Sequence, residues 1–224
     1  TESSAASDVY KRQVREGFRK MLMNSVEYWG VNNPLRALVQ RHYEAPRLKA
    51  VSRAKPASVL EIGCGQGVGA KIIYEMFEPE KYVGIDLDPR MIERARKKGA
   101  GLSNASFVEG DAAHLDFPDG TFDLVVDFGI IHHLPNWRDS LAEVHRALKA
   151  GGEFLFEELS VETWNRGIGK PLKSVLEHPY EDMFFKQEFV DELEELGFET
   201  ETHENSPASF YHFWGRATKP AAGQ

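Results

Sequence analysis

The stretch VLEIGCGQGVG (Val59–Gly69) places Gly63, Gly65, Gly67 and Gly69 at every second position behind a short apolar run that carries one carboxylate, Glu61. A turn with so few side chains lets the backbone approach a nucleotide-like ligand closely. Acids recur at comparable points downstream: Asp86 closes KYVGID, Asp111 follows FVEG, and VVDFGIIHHLPNW runs from an apolar segment through Asp127 to the pair His132 and His133. Carboxylates in such places accept hydrogen bonds from hydroxyl and amino groups, and an imidazole with a pKa near neutrality can exchange protons. A further acidic point is the pair Glu157 and Glu158, which by strand alternation point to opposite faces, so only one of them can face a cleft.

Elements that could position these residues are legible from periodicity. ASVLEIGCG reads as a strand broken by glycine, GVGAKIIYEMF as a helix with Ile72, Ile73, Met76 and Phe77 turned inward, and KYVGIDLD as a second strand. PRMIERARKKGA is a helix opened by Pro89, with Asp88 as its cap, and ASFVEGDA is a third strand ended by Asp111. FDLVVDFGII is a fourth strand, apolar enough to be buried on both faces. NWRDSLAEVHRALKAGG is an amphipathic helix closed by paired glycines, and GEFLFEEL is a fifth strand. KQEFVDELEELGF is a helix before two strand-like runs, FETETHE and SFYHFWGRAT, that could form an antiparallel hairpin at one sheet edge. Strands alternating with helices imply a parallel, doubly wound sheet. Upstream, residues 14–52 read as a helical cover, with Asn33 and Pro34 opening its second helix; residues 160–184, rich in aromatics, Gly and Pro, read as a lid-like insertion in a domain spanning 53–218. Residues 219–224 form a tail. DVYKRQ (8–13) looks like the translation of a transposon end, so residues 1–13 are expected to be an artefact or a peripheral tail.

Two cofactors fit the glycine turn. Gly65, Gly67 and Ala70 satisfy G-x-G-x-x-A with Asp86 about 20 residues on, as a nicotinamide dinucleotide site asks. Glu61 argues for S-adenosylmethionine instead, because a carboxylate two residues before the first glycine can reach the amino group of a bound amino acid, directly or through water. Together VLEIGCGQGVG, VGIDLDPRMIERAR, VEGDAAHLDFPDGTFDLVV, FGIIHHLPNW and LKAGGEFLFEE resemble the class I S-adenosylmethionine-dependent methyltransferases, especially the branch of the quinone-biosynthesis methyltransferases. The resemblance covers roughly Val59–Glu158. It implies an α/β, Rossmann-like sheet of seven strands, mostly parallel with an antiparallel last strand.

By that resemblance, Glu61, Gly63, Cys64, Gly65 and Gly67 line the methionine part of the cofactor, Asp86 takes both ribose hydroxyls, and Leu87 and Met91 flank the adenine. Asp111 and Ala112 meet the adenine edge, and Asp127 and Phe128 stand where the amino group contacts backbone oxygen; many relatives carry a small polar residue in place of Asp127. Gly69 is expected to serve helix packing, and Asp116 and Asp119 to be turn residues. Methyl transfer needs an aligned acceptor in a dry pocket, and a base only where the acceptor loses a proton. His133 is the first candidate base, with His132 and Glu158 as the others; either histidine could instead simply open a helix, and a glutamate could pair with Arg166 or Lys170. Tyr28, Trp29, Trp164, Tyr180, Phe184, Tyr211 and Trp214 are candidates for an apolar acceptor pocket or for core. The reaction expected is methylation of an oxygen, nitrogen, carbon or sulfur on a small, partly apolar molecule. A non-catalytic sensor or scaffold that binds the cofactor, and a nicotinamide oxidoreductase, are the alternatives.

The 224 residues suit one domain, and the net charge of −8 without a basic block disfavours a nucleic-acid partner. The single cysteine, Cys64, can form no internal disulfide. No apolar run approaches membrane-spanning length, and no secretory pattern opens the sequence; the expectation is a cytoplasmic protein without a metal site. Oligomeric state has no signature in these residues.

Overall fold

The structure is a computed structural model that describes residues 33–165, 183–205 and 211–221. Residues 1–32, which include the first expected cover helix and the tail at 1–13, lie outside the described residues, as do 166–182 of the expected lid and 222–224.

The cover helix forms where Pro34 fixes the first turn. Asn33 caps α1 (Pro34–Val39), its side-chain oxygen accepting from the Arg36 N–H at 2.9 Å. A π-helical turn (Gln40–Glu44) leads into α2 (Ala45–Val51). Pro46 brings no N–H to this junction, and the wider turn lets the Ala45 N–H reach the Gln40 carbonyl instead.

Seven strands follow: β1 (Ser58–Ile62), β2 (Lys81–Asp86), β3 (Ala105–Glu109), β4 (Phe122–Phe128), β5 (Leu148–Leu159), β6 (Glu199–Asn205) and β7 (His212–Thr218). Their order in the sheet is β3-β2-β1-β4-β5-β7-β6. The β1–β2, β1–β4, β2–β3 and β4–β5 pairs are parallel, while β7 runs antiparallel to both β5 and β6. The hairpin expected from the last two strand-like runs is therefore present at one edge.

Between the strands lie α3 (Val68–Phe77), α4 (Pro89–Gly99), α5 (Trp137–Ala147), the short α6 (Val161–Asn165) and α7 (Lys186–Glu195). They cover both faces. On one, Leu60, Ile62, Val125, Phe154 and Phe156 of the sheet pack against Trp137, Leu141 and Val144 of α5 and Phe189 and Leu193 of α7. On the other, Val59, Tyr82, Leu124 and Leu155 pack against Leu48 of α2, Ile72 and Ile73 of α3, and Ile92 and Ala95 of α4. Removing this apolar surface from water, at about 25 cal/mol per Å2, is the main force holding the layers together.

Two expected boundaries are corrected. The third strand ends at Glu109: the Gly110 N–H still bonds the Asp86 carbonyl at 3.1 Å, but Asp111 turns away, its side chain accepting from the Ala113 N–H at 2.9 Å. Gly151 and Gly152 do not close α5. That helix stops at Leu148, whose extended backbone already pairs with Phe122, and both glycines fall within β5, where they exchange hydrogen bonds with Lys219.

Candidate active site

In this strand order the chain reverses its winding between β1 and β4, and a crevice opens beyond their carboxyl ends. The glycine turn forms one side of it. Gly63, Gly65 and Gly67 all have positive φ (62°, 50° and 81°), a left-handed conformation that favours glycine. Their surroundings differ. A Cβ on Gly63 would stand 2.3 Å from Ile130, and one on Gly67 would stand 2.9 Å from the Ala95 backbone, whereas one on Gly65 would have nothing within 4 Å. Gly63 and Gly67 thus permit packing, and Gly65 borders open space.

Asp86 joins the turn to β2: one oxygen accepts from the Gly65 N–H at 2.9 Å and the other from the Asp88 N–H at 2.8 Å. Burial pushes its carboxyl above the ordinary range. Asp88 caps α4 as expected, accepting from the Arg90 N–H. Leu87 and Asp111 are half-buried beside this corner, while Met91 is sealed in the interior and Ala112 and Cys64 nearly so. The exposed surface here is therefore that of Leu87, Asp111 and the glycine backbone.

Glu61 lies beneath the turn, 1% exposed, and accepts a hydrogen bond from the Tyr82 hydroxyl. Burial pushes its carboxyl up to about 8. Gly69 is there for this carboxylate, since a Cβ at that position would stand 2.0 Å from Glu61 Oε1; the space is filled by an acid rather than by helix packing alone. Tyr82 was not among the expected site residues. The one signal for it was Gly84 in an otherwise apolar strand, where a Cβ would stand 2.7 Å from the Tyr82 hydroxyl.

At the end of β4, Asp127 is fully buried, and its Oδ1 accepts from the Ile130 N–H at 2.9 Å. This holds the chain as it turns into a 3-10 turn, Ile131–His133. Glu158 of β5 lies against it: Oε1 accepts from the Ile131 N–H at 2.6 Å, and Oε2 stands 2.5 Å from His132 Nδ1. Burial is the largest cause of the shifts here, pushing Glu158 up to about 8 and His132 down to about 4, while Asp127 is pushed well above its ordinary range by burial and by Glu158 beside it. Crowded carboxyls in a dry site retain protons that water would take. His133 is half-buried, its ring tilted 36° against that of His132 at 4.2 Å between centroids; burial also lowers its pKa. The carboxylate that orients a histidine thus belongs to His132.

Glu157 faces the other side, as strand alternation requires, and stands 2.8 Å from His212 Nε2 on β7. Above it the cover helix contributes Arg36, whose Nη1 donates to both Glu44 oxygens at 2.9 Å and whose Nη2 donates to the Phe128 carbonyl at 3.1 Å. Burial, together with the charge of Glu157, pushes Glu44 up to about 8. Arg36, Glu44 and His212 carry no motif spacing and were missed in sequence.

The aromatic candidates divide. Phe184 is core, packed on Trp137 and Phe189; the Tyr211 hydroxyl donates to Glu204; and Trp214 stacks on His203 and His212. Tyr28, Trp29, Tyr180, Arg166, Lys170 and the Trp164 side chain lie outside the described residues. Among the described residues, no cluster of His, Cys, Asp and Glu is placed to hold a metal ion, and no helix is long and apolar enough to cross a membrane.

Gly65, where an added Cβ would meet nothing within 4 Å, stands beside half-buried Asp86 and Leu87, and a carboxylate and an apolar side chain next to an open backbone suit the ribose and adenine of S-adenosylmethionine. Comparison with known proteins agrees. Residues 60–156 match the family described as a methyltransferase domain. The chain is 37% identical over 114 residues to the fatty-acid O-methyltransferase of Mycolicibacterium smegmatis, covering 49% of this chain and 41% of that protein. It is 40% identical over 101 residues to the phthiotriol/phenolphthiotriol dimycocerosates methyltransferase of Mycobacterium tuberculosis, covering 45% and 37%. The chain thus spans about two-fifths of the length of these curated relatives. Among solved structures, the fold matches one from the complex of the Haloferax volcanii Trm112 methyltransferase activator with a methyltransferase, at a TM-score of 0.72 and 18% identity, covering 89% of this chain and 99% of that one. It also matches an S-adenosylmethionine-dependent methyltransferase from Aquifex aeolicus at a TM-score of 0.67 and 20% identity, covering 88% and 98%. Residues 60–156, laid on this seven-stranded sheet, are thus a methyltransferase domain of the class I S-adenosylmethionine-dependent superfamily.

Proposed function

We propose that the protein methylates an oxygen on a small, lipid-like molecule, with His132 as the base wherever that oxygen carries a proton. The observation that carries this reading is the buried His132–Glu158 pair in the turn that leaves β4, the strand beside β1, whose own end carries the glycine turn with the open side of Gly65. When bound, S-adenosylmethionine supplies a methyl group on a sulfonium, whose displacement consumes a positive charge. Gly63, Gly65 and Gly67 would shape the turn around the amino-acid arm, Asp86 would hold the ribose hydroxyls, and Leu87 and Asp111 would border the adenine. With Nδ1 engaged by Glu158, proton exchange with the acceptor falls to His132 Nε2. Positioning reactants in a water-excluded cleft is the larger contribution, on the order of 7 to 11 kcal/mol in well-oriented systems. The fatty-acid and phthiotriol/phenolphthiotriol methyltransferases among the relatives favour an oxygen acceptor in an apolar molecule.

The test is incubation with methyl-labelled cofactor and a panel of fatty acids, hydroxylated lipids, phenols, quinols, amines and thiols. Label is expected in the lipid-like oxygen compounds; tight cofactor binding with label in none of them would favour a sensor, and label confined to amines or thiols would overturn the oxygen assignment.

A further inference from the structure

We infer that Arg36 of the cover helix is an anchor for a carboxylate in the crevice. This rests on the reading of the site given above and adds to it a residue and the ligand group it takes. The end of β4 and β5 gathers four buried carboxyl side chains, Glu44, Asp127, Glu157 and Glu158, and they act on one another electrostatically. Held with their protons by burial, Glu44, Asp127 and Glu158 would ionise beside a cationic group and give no stabilisation to a bare carboxylate, so the set suits a ligand with cationic groups. Arg36 is the guanidinium set into this wall. It reaches 92 residues along the chain to the Phe128 carbonyl, stands close enough to lower the His132 pKa by its charge, and keeps 29% of its side chain exposed.

Its contacts are those of a positioned group rather than of a surface cation. Asn33 caps the helix turn that carries it, Glu44 grips Nη1 with both oxygens, and the Phe128 carbonyl takes Nη2. A guanidinium has five N–H donors in a rigid plane, more than these bonds consume, and a planar fork is the geometry that pairs with a carboxylate. A ligand with an ammonium, a sulfonium and one carboxylate would leave its positive groups among the acids and its carboxylate on Arg36. A carboxylic acid acceptor would use the same chemistry from the other side of the transferred methyl. In both cases Arg36 recognises a carboxylate, and the two sources separate experimentally.

Calorimetry on the full chain would compare wild type, Arg36→Gln and Arg36→Lys for S-adenosylhomocysteine, which carries the carboxylate, and 5′-methylthioadenosine, which lacks the amino-acid arm. If the cofactor is the source, Arg36→Gln weakens S-adenosylhomocysteine about tenfold or more and leaves 5′-methylthioadenosine unchanged, with Arg36→Lys in between. If the acceptor is the source, S-adenosylhomocysteine affinity holds and KM rises by a similar factor for a fatty acid but not for the matching fatty alcohol. Equal effects on molecules with and without the carboxylate, or no effect, in variants that keep the wild-type melting temperature would reduce Arg36 to a clasp between helix and sheet and overturn the inference. Wild type that binds neither nucleoside would instead contradict the cofactor reading itself.

Discussion

At the residue scale, the decisive contact is between His132 and Glu158, 26 positions apart and on different elements. Three backbone N–H groups, from Ile131, His132 and Leu159, also donate to the Glu158 oxygens, which steadies the ionised carboxylate once the pair has lost its proton. Burial delays that loss: Glu158 moves from the ordinary 4.5 to about 8. Below that range the protonated Glu158 donates to Nδ1 and the hydrogen of the neutral imidazole sits on Nε2, so the pair offers Nε2 as a base only above it. For an acceptor that must lose a proton, kcat is expected to rise with pH up to about 8 and then level, and steady-state rates across pH 6 to 9, chosen to bracket that value, would show it. His132→Ala should cut the rate by roughly a hundredfold or more and erase the pH dependence, whereas His133→Ala should retain both. The sequence names His133 first and His132 second as candidate bases, whereas the proposal here names His132, because adjacent residues in one turn are told apart only by what a distant strand presents to them. Glu61 gives the same lesson. Its type and spacing were legible, but its burial against Tyr82 depended on space left by Gly69 and Gly84.

At the scale of elements, the glycine turn separates two jobs that look alike in sequence. Replacing Gly67 by alanine forces a side chain into a left-handed backbone and against the Ala95 main chain, while the same change at Gly65 brings the backbone penalty without a clash. Gly65→Ala is expected to cost about 1 kcal/mol of stability and Gly67→Ala clearly more, measured by urea denaturation. The order reverses for ligand: Gly65→Ala should weaken S-adenosylhomocysteine strongly for its small loss of stability, because its Cβ enters the open face. Strand and helix identities were readable from periodicity, and so were the caps at Asn33 and Asp88. Boundaries were harder. Gly151 and Gly152 look like a helix stop, and only the pairing of Leu148 with Phe122 and of both glycines with Lys219 draws them into β5. Nothing local to Gln40–Glu44 announced a π turn except Pro46 just beyond it.

Across the whole molecule, the buried acids set a dependence of stability on pH that runs opposite to ordinary acid denaturation. Glu44, Glu61 and Glu158 each move from 4.5 in the unfolded chain to about 8 in the fold, so the folded state binds more protons between those values. The stability they contribute is fully present below the unfolded value and is lost as pH rises through about 8. Thermal unfolding should accordingly give a higher melting temperature near pH 6 than near pH 9, and Glu61→Gln should flatten the difference. The sheet, its switch point and the glycine corner were legible because each follows from local pattern and winding rules, whereas the carboxyl clusters were not, since their members come from the π-helical turn, β1, β4 and β5 and meet only in the fold. The central claim, that this crevice transfers a methyl group to a lipid-like oxygen, is tested most directly by mass spectrometry of a fatty acid or hydroxylated lipid after incubation with the protein and methyl-labelled S-adenosylmethionine. Wild type should give labelled methyl ester or ether, and His132→Ala little where a proton must leave; wild type that binds the cofactor yet leaves every such acceptor unlabelled would overturn the lipid-like oxygen as acceptor.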